Sequence, residues 1–181
     1  MQIGESYIGE GGEAAHINTV LGDRDGPVGT AWATALASPR PGHTPFVAVL
    51  VPGTPVKPLT LFVNKAAVTA DTHATLTWGP AQAGVAAGVM DAVAAGHIAP
   101  DAVDEVVVVA AVWVDPTASP DEADDVYRNN RLATAGALAA GAQGSPTAQA
   151  ALAARQCPTN PFYPQAAPWD GAVAQAGTGV A

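Results

Sequence analysis

The sequence predicts an α/β protein in which one sheet and one layer of helices form a two-layer α+β sandwich. Short apolar runs rich in β-branched and aromatic residues, such as residues 46–51 and 59–63, are bounded by proline or glycine and are typical of strands. Elsewhere apolar residues recur at four-residue spacing, as Val85, Val89 and Val93 do, which is typical of an amphipathic helix. These segments follow one another as two strands, a helix, two strands, a helix, a strand and a helix. Such mixing favours a sheet with helices packed against it.

The N-terminal stretch predicts two strands, residues 3–8 and 14–21, joined by a glycine-rich turn at residues 9–12. Side chains alternate between the two faces of a strand. His16 and Asn18 therefore lie on one face of the second strand. Two polar side chains side by side on a sheet are suited to form the floor of a site.

The first helix follows a turn at residues 22–27. Pro27 can occupy its first position and Asp25 can cap it. Apolar side chains recur along one side of this helix (Val28, Trp32, Leu36).

A single lysine, Lys65, directly follows the predicted strand at residues 59–63, and no Lys or Arg appears again until Arg128. A cation at the end of a buried strand is suited to bind a ligand. A surface lysine, whose stem lies along apolar surface while its charge reaches water, explains the position equally well.

The segment WGPAQ, residues 78–82, predicts the start of the next helix. Pro80 suits the first helical position, where its missing N–H costs nothing. Gln82 then falls in the first turn, where it can face a ligand or bond the unpaired N–H groups of the helix start. Gly96 ends the helix.

The nine apolar residues 106–114 predict a central strand that is buried on both faces or lies at a subunit contact. An acidic loop then leads to a helix at residues 122–140. We expect one domain over residues 1–144 and a proline-punctuated C-terminal extension at residues 145–181. In the extension, residues 145–155 can form a helix, three aromatic side chains are expected to cover a neighbouring surface, and the last residues are expected to be frayed. The aromatic residues are Phe162, Tyr163 and Trp169.

Composition limits the class of protein. The formal net charge is −9 and the seven Lys and Arg residues are scattered, which argues against a nucleic-acid partner because phosphate binding needs clustered cations. The single cysteine, Cys157, cannot form an internal disulfide, and the four histidines lack metal-ligand spacing with acidic partners, so no metal is expected. The N-terminus lacks the features of a signal peptide, and no stretch reaches the roughly 20 apolar residues of a membrane helix. We therefore expect a soluble, cytoplasmic protein that does not bind membranes.

Four motifs, in this order, resemble the formaldehyde-activating enzyme family: AHIN at residues 15–18, GHTP at 42–45, PVKPLTL at 55–61 and WGPAQ at 78–82. The resemblance extends over residues 3–141. It implies a carbon–nitrogen-forming hydro-lyase that condenses formaldehyde with the reduced pterin tetrahydromethanopterin, in one-carbon metabolism and formaldehyde detoxification. It also implies a fold like the second domain of ribosomal protein S5 and a homopentamer with each pterin site between two subunits.

The resemblance further implies roles for single residues. His16 matches the family's general acid, a role that suits a side chain titrating near neutral pH, although the residues alone favour a hydrogen-bonded structural histidine. Lys65 and Gln82 match substrate-binding residues. Three other substrate-binding positions differ in type: Asn18 replaces an aspartate, Val47 a leucine and Ala67 a hydroxyl residue. If the missing carboxylate orients the imidazole, Asn18 is expected to weaken catalysis.

Three functions remain open at this point. The first is the enzyme just described. The second is a non-catalytic or slow paralogue that binds a pterin, a folate or a small carbonyl adduct as a carrier or sensor. The third is a purely structural oligomer, which would not need His16, Lys65 and Gln82 at three separate strand or helix ends.

Overall fold

A five-stranded sheet with the two longest helices packed on one face dominates the computed structural model, which describes residues 1–164. These residues fall into two compact units, Met1–Ser145 and a second unit that begins at Pro146. The first unit is a two-layer sandwich of helices and a mixed sheet, and the predicted fold class is confirmed.

The sheet has the strand order β1-β2-β7-β6-β3. Its neighbours are antiparallel except for β6 and β7, which are parallel. Strands β4 and β5 form a separate antiparallel pair. The strands are β1 Gln2–Ile8, β2 Ala15–Asp23, β3 Phe46–Val47, β4 Val49–Val51, β5 Thr54–Pro55, β6 Leu59–Asn64 and β7 Val106–Val114.

The helices of the first unit are α1 Pro27–Ala37, α2 Asp71–Leu76, α3 Gln82–Ala94 and α4 Ala123–Gln143. Between α2 and α3 the chain forms one π-helical stretch, Thr77–Ala81. Within residues 1–164, no helix combines the length and apolar character that crossing a bilayer requires.

One face of the sheet packs against α3 and α4 and forms the core, as the alternation along β2 shows. Ile17 is fully buried beneath the helices, whereas His16 and Asn18 on either side of it are half-buried on the opposite face. We call this second face the open face. Helix α1 packs on it at the far end, where Val28 lies against Gly22. The expectation that His16 and Asn18 share a face agrees with this register.

Helices α3 and α4 approach closely because glycine occupies their contact. An added Cβ at Gly84 would lie 2.4 Å from the Tyr127 carbonyl oxygen, and one at Gly88 would lie 2.4 Å from that of Arg131. Beyond the glycines, Arg131 donates two hydrogen bonds to Asp91, from Nε at 2.6 Å and from Nη2 at 2.8 Å. This bidentate pair fixes the register of the two helices.

The prediction of one strand over residues 46–51 is wrong. The chain leaves the main sheet at Ala48, which is fully buried, and continues as β4 in the separate hairpin. The N–H of Val49 then bonds a glutamine side chain, Gln82 Oε1, so the strand can turn away without leaving a donor unpaired.

The prediction that Pro80 starts a helix is also wrong. The helical segment begins at Asp71 and continues through Pro80 as the π-helical stretch. The N–H of Gln82 is already bonded to the carbonyl oxygens of Thr77 and Gly79, so the helix has no free N-terminus there. A π-helical stretch tolerates proline because its hydrogen-bond pattern is locally displaced. The sequence did not predict that the helix begins at Asp71, because the mostly polar residues 71–77 show no helical spacing of apolar side chains.

The expectation that Asp25 caps α1 is wrong. Gly26, not Asp25, is the N-cap of α1, and no side chain caps this helix. His73 lies on α2, where its buried ring donates from Nε2 to the Val114 carbonyl oxygen at 3.1 Å. Strand β7 is central, as expected, although three of its open-face residues, Val109, Ala111 and Trp113, are only half-buried in a single chain.

The second unit contains helix α5, Ala148–Ala154. Thr147 caps it by accepting a hydrogen bond from the N–H of Ala150 at 3.2 Å. Phe162 and Tyr163 are exposed. Trp169 and the tail expected to be frayed lie outside the described residues.

The close approach of α3 and α4 predicts that Gly88→Ala lowers the free energy of unfolding by about 2–3 kcal/mol, because the new methyl group meets backbone that cannot rotate away. Gly79→Ala is the matched control. An added Cβ there meets no atom within 4 Å, and the change should be within about 1 kcal/mol of neutral. Urea unfolding at one protein concentration measures both. Equal stability of the two variants would contradict the packing described.

Candidate active site

Five of the six residues singled out in the sequence, all but Ala67, fall into two clusters within one chain. The first, the sheet cluster, lies on the open face and consists of Glu5, Tyr7, His16, Asn18 and Lys65. The second, the edge cavity, has a volume of about 460 Å³ and lies beside β3. Its lining residues are Thr44, Phe46, Val47, Val49, Trp78 and Gln82.

His16 is held from a neighbouring strand. In the antiparallel pairing of β1 and β2, Tyr7 lies opposite His16 and Glu5 lies opposite Asn18. Glu5 reaches His16 across the diagonal, and its Oε1 is 2.9 Å from His16 Nε2. The Tyr7 ring lies tilted at 56° with its centroid 6.0 Å from that of His16. On the other side, Trp113 of β7 is paired with His16 in the sheet.

Lys65 reaches the same place from the parallel side of the sheet. Its backbone N–H donates to the Val112 carbonyl oxygen at 2.8 Å, which extends the β6–β7 pairing by one residue beyond Asn64. This places its side chain on the open face, and Nζ donates to the His16 carbonyl oxygen at 3.1 Å. Burial lowers the pKa of Lys65 to about 8, and the nearby Glu5 carboxylate opposes this change.

Burial also lowers the pKa of His16, and the positive charge of Lys65 lowers it further. Glu5 acts in the opposite direction, both through its charge and through its hydrogen bond. His16 is thus a stronger acid than an exposed histidine, with a carboxylate beside it that stabilises its charged form. Such opposing influences on one imidazole are characteristic of sites for proton transfer.

Asn18 lies next to Glu5 in the sheet cluster. Its Cα is paired with Glu5 on one side and Ala111 on the other. A carboxylate is therefore present next to position 18 even though Asn18 itself is neutral.

Gln82 joins helix α3 to the strand that leaves the sheet. It is buried, and its Oε1 accepts a hydrogen bond from the N–H of Val49 at 2.5 Å. Because a backbone N–H can only donate, this contact fixes the orientation of the amide, and the Nε2 donor points the other way. Val47 lines the same cavity, one residue before the chain leaves the sheet.

The π-helical stretch places Trp78 at the mouth of the edge cavity, with 54% of its surface exposed. Trp78 also lines a smaller adjoining cavity of about 160 Å³ with Gly42 and Asn64. Ala67 is exposed, and its Cβ would lie 3.0 Å from a Cβ added at Gly42. The position of Ala67 is therefore near this smaller cavity.

Sequence reasoning missed Glu5, Tyr7 and Trp113. Alternation places Glu5 and Tyr7 on one face of β1, but deciding that this face also carries His16 requires the register of β1 against β2. The turn between the strands contains a 3-10 helix, Gly11–Glu13, whose length the glycines do not determine. Trp113 lies in the continuous apolar run 106–114. Because polar and apolar residues do not alternate there, the sequence does not show which face of the strand each side chain occupies.

The two clusters are separated within one chain. His16 lies on β2 and Val47 on β3, three strands away. At the usual strand spacing this is about 14 Å across the sheet. The sheet cluster and the edge cavity therefore lie apart within one chain.

The sheet cluster predicts a charge coupling that can be measured without substrate. Lys65→Met should raise the pKa of His16, because it removes a positive charge that favours the neutral imidazole. The pKa is read by NMR of histidine-labelled protein between pH 4 and 8, with the His16 signal assigned from His16→Gln. Lys57→Met is the control, because Lys57 is exposed and pairs with Asp104. An unchanged or lowered pKa in Lys65→Met would contradict the arrangement.

Comparisons with known proteins show the family of this chain. A family model described as formaldehyde-activating enzyme (Fae) matches residues 3–163. The 5,6,7,8-tetrahydromethanopterin hydro-lyase of Methanosarcina barkeri is 42% identical over 160 residues, which are 88% of this chain and 89% of that protein.

Longer relatives match as well. The bifunctional enzyme Fae/Hps of Methanosarcina barkeri is 44% identical over 133 residues, 74% of this chain and 33% of that protein. That of Archaeoglobus fulgidus is 41% identical over 161 residues, 89% of this chain and 40% of that protein. The chain thus spans only a minor part of the length of these bifunctional relatives. With a family model over residues 3–163 and a relative of similar length at 42% identity, the chain belongs to the formaldehyde-activating enzyme family.

Proposed function

We propose that this protein condenses formaldehyde with a reduced pterin of the tetrahydromethanopterin type, forming the methylene adduct and releasing water. The observation that carries the proposal is the surroundings of His16 on the open face. The Glu5 carboxylate lies 2.9 Å from the His16 ring, and the Lys65 ammonium donates a hydrogen bond to the backbone carbonyl oxygen of His16. Family membership supports the choice of substrates, since the Methanosarcina barkeri relative is named for the tetrahydromethanopterin reaction.

The reaction needs an acid at one step. A secondary amine of the pterin adds to formaldehyde and gives a carbinolamine. The His16 imidazolium then transfers a proton to the carbinolamine hydroxyl, which leaves as water. The second pterin nitrogen attacks the resulting iminium carbon, and the proton it loses returns to the imidazole, so the acid is regenerated. General acid catalysis of this kind contributes about 10²–10⁴-fold.

The other residues bind rather than react. Lys65 offers an ammonium group that is partly desolvated, which strengthens its interaction with an oxygen of the pterin. The Nε2 donor of Gln82 and the apolar wall formed by Val47 supply an amide contact and a surface for a flat ring. Asn18 offers an amide contact beside His16, and Ala67 supplies only a methyl group.

The separation of the two clusters supports an assembly in which neighbouring copies share each site. A homopentamer, as the family resemblance implies, would bring the edge cavity of one copy to the sheet cluster of the next around a closed ring. The half-buried open face of β7 is consistent with such a contact. We place the protein in the cytoplasm, where it would act on formaldehyde and the reduced pterin in formaldehyde detoxification. The second activity of the bifunctional relatives is not part of this proposal.

The carrier or sensor alternative is favoured by Asn18 and Ala67, which differ in type from the family's substrate-binding residues. Glu5 now provides a carboxylate in the neighbourhood of Asn18, and the curated relative of similar length is named as an enzyme. Both observations favour catalysis over binding alone.

The acid role predicts that His16→Ala lowers kcat by about 10²–10⁴-fold while pterin binding persists. The measurement is the rate of methylene adduct formation above the spontaneous rate, with His97→Ala as the control histidine. In the wild-type protein the enhancement should fall as pH rises through a midpoint below that of an ordinary histidine, because burial and Lys65 lower the pKa of His16 and the acid form is lost early. Full enhancement in His16→Ala would refute the proposal.

A further inference from the structure

Glu5 is a residue of the sheet cluster to which the family resemblance above assigns no role. It lies in the middle of β1, and its side chain is 59% exposed on the open face. Its Oε1 atom is 2.9 Å from Nε2 of His16, a hydrogen-bond distance for a charged donor. A carboxylate bound to one nitrogen of an imidazole fixes the orientation of the ring and determines which nitrogen remains for other chemistry.

The contact depends on the sheet and not on a flexible loop. The β1–β2 register runs without interruption from Gln2, opposite Leu21, to Ile8, opposite Ala15. Glu5 is therefore fixed on the diagonal from His16, where a long side chain spans the gap between strands. An aspartate in its place would be one methylene shorter and could not span this diagonal as well.

The same geometry bears on Asn18. Position 18 lies directly opposite Glu5, so both flank the same imidazole. Only Glu5 carries a carboxylate here, and it is therefore the acidic partner of His16 on this side of the sheet.

The groups that face His16 come from three directions. Glu5 and Tyr7 approach from β1, Lys65 from the end of β6, and Trp113 from β7. Among these the Glu5 carboxylate opposes the effect of burial and of Lys65 on the pKa of His16. Without Glu5, the imidazole would keep a cationic neighbour and lose its anionic one.

We propose that Glu5 is a positioning residue for the condensation: it binds Nε2–H of His16, holds the ring in place and leaves Nδ1–H to protonate the carbinolamine hydroxyl. This rests on the proposed function. Glu5 itself exchanges no proton with the substrate. When the proton lost by the second pterin nitrogen returns to Nδ1, the imidazolium is restored with its Nε2–H still bound to Glu5.

Glu5→Gln tests the proposal, because it keeps the size of the side chain and removes its charge. We expect kcat to fall roughly 10- to 100-fold near neutral pH with KM nearly unchanged. The loss should shrink as pH falls, because a lower pKa of His16 in the variant moves the pH–rate profile to lower pH. NMR of labelled histidine should report the same acid shift in protein without substrate. A loss that is equal at every pH, with no change in the His16 signal, would overturn the proposal.

Two further variants sharpen the test. Glu105→Gln removes the same charge from an exposed position just before β7, about 25 Å from the sheet cluster, and should leave kcat and the His16 signal unchanged. Glu5→Gln with Asn18→Asp moves the carboxylate to the opposite position and should recover part of the lost rate. A double variant no faster than Glu5→Gln alone would overturn the role of a carboxylate beside His16.

The outcomes separate this inference from the proposed function. If the wild-type protein gives no rate enhancement, the proposed function fails. If the wild-type protein is active, His16→Ala is inactive and Glu5→Gln retains full kcat, the proposed function stands and only the role of Glu5 is refuted.

Discussion

The pairing of β2 between β1 and β7 is the constraint on which the rest of the structure depends. Because side chains alternate along a strand, burying Ile17 beneath α4 forces His16 onto the open face. The same pairing brings Glu5 to one side of His16 and Trp113 to the other. A slip of β2 by one residue against its neighbours would bury the histidine in the core and expose the isoleucine. The stability of the core and the position of the imidazole are therefore set by one register.

Two charged side chains, Lys65 and Glu5, act on His16 on the open face. The formal net charge is −9, yet the cation nearest His16 is a half-buried lysine that bonds the backbone of His16 itself. Lys65 and burial favour the neutral imidazole, whereas Glu5 favours the charged one. A group balanced in this way can lose and regain a proton at modest cost, which suits an acid that must be regenerated in each cycle.

Much of this could be predicted from the sequence. The shared face of His16 and Asn18 follows from strand alternation alone, and the mixed order of strands and helices predicts the two-layer fold. The contact between Glu5 and His16 could not be predicted, because it depends on the register across a turn that contains a 3-10 helix. The role of Gln82 in bonding Val49 was also hidden, because it requires knowing that the chain leaves the sheet after Val47. Tertiary hydrogen bonds between distant segments leave no local pattern.

In the proposed function, the sheet cluster of one copy and the edge cavity of another form a single catalytic site. The direct test is to co-express His16→Ala and Gln82→Ala chains with different tags and to purify oligomers that carry both tags. If neighbouring copies share each site, some sites in these oligomers contain both intact residues, and activity should rise well above that of either variant alone. Mixed oligomers no more active than the two parent variants would contradict the account.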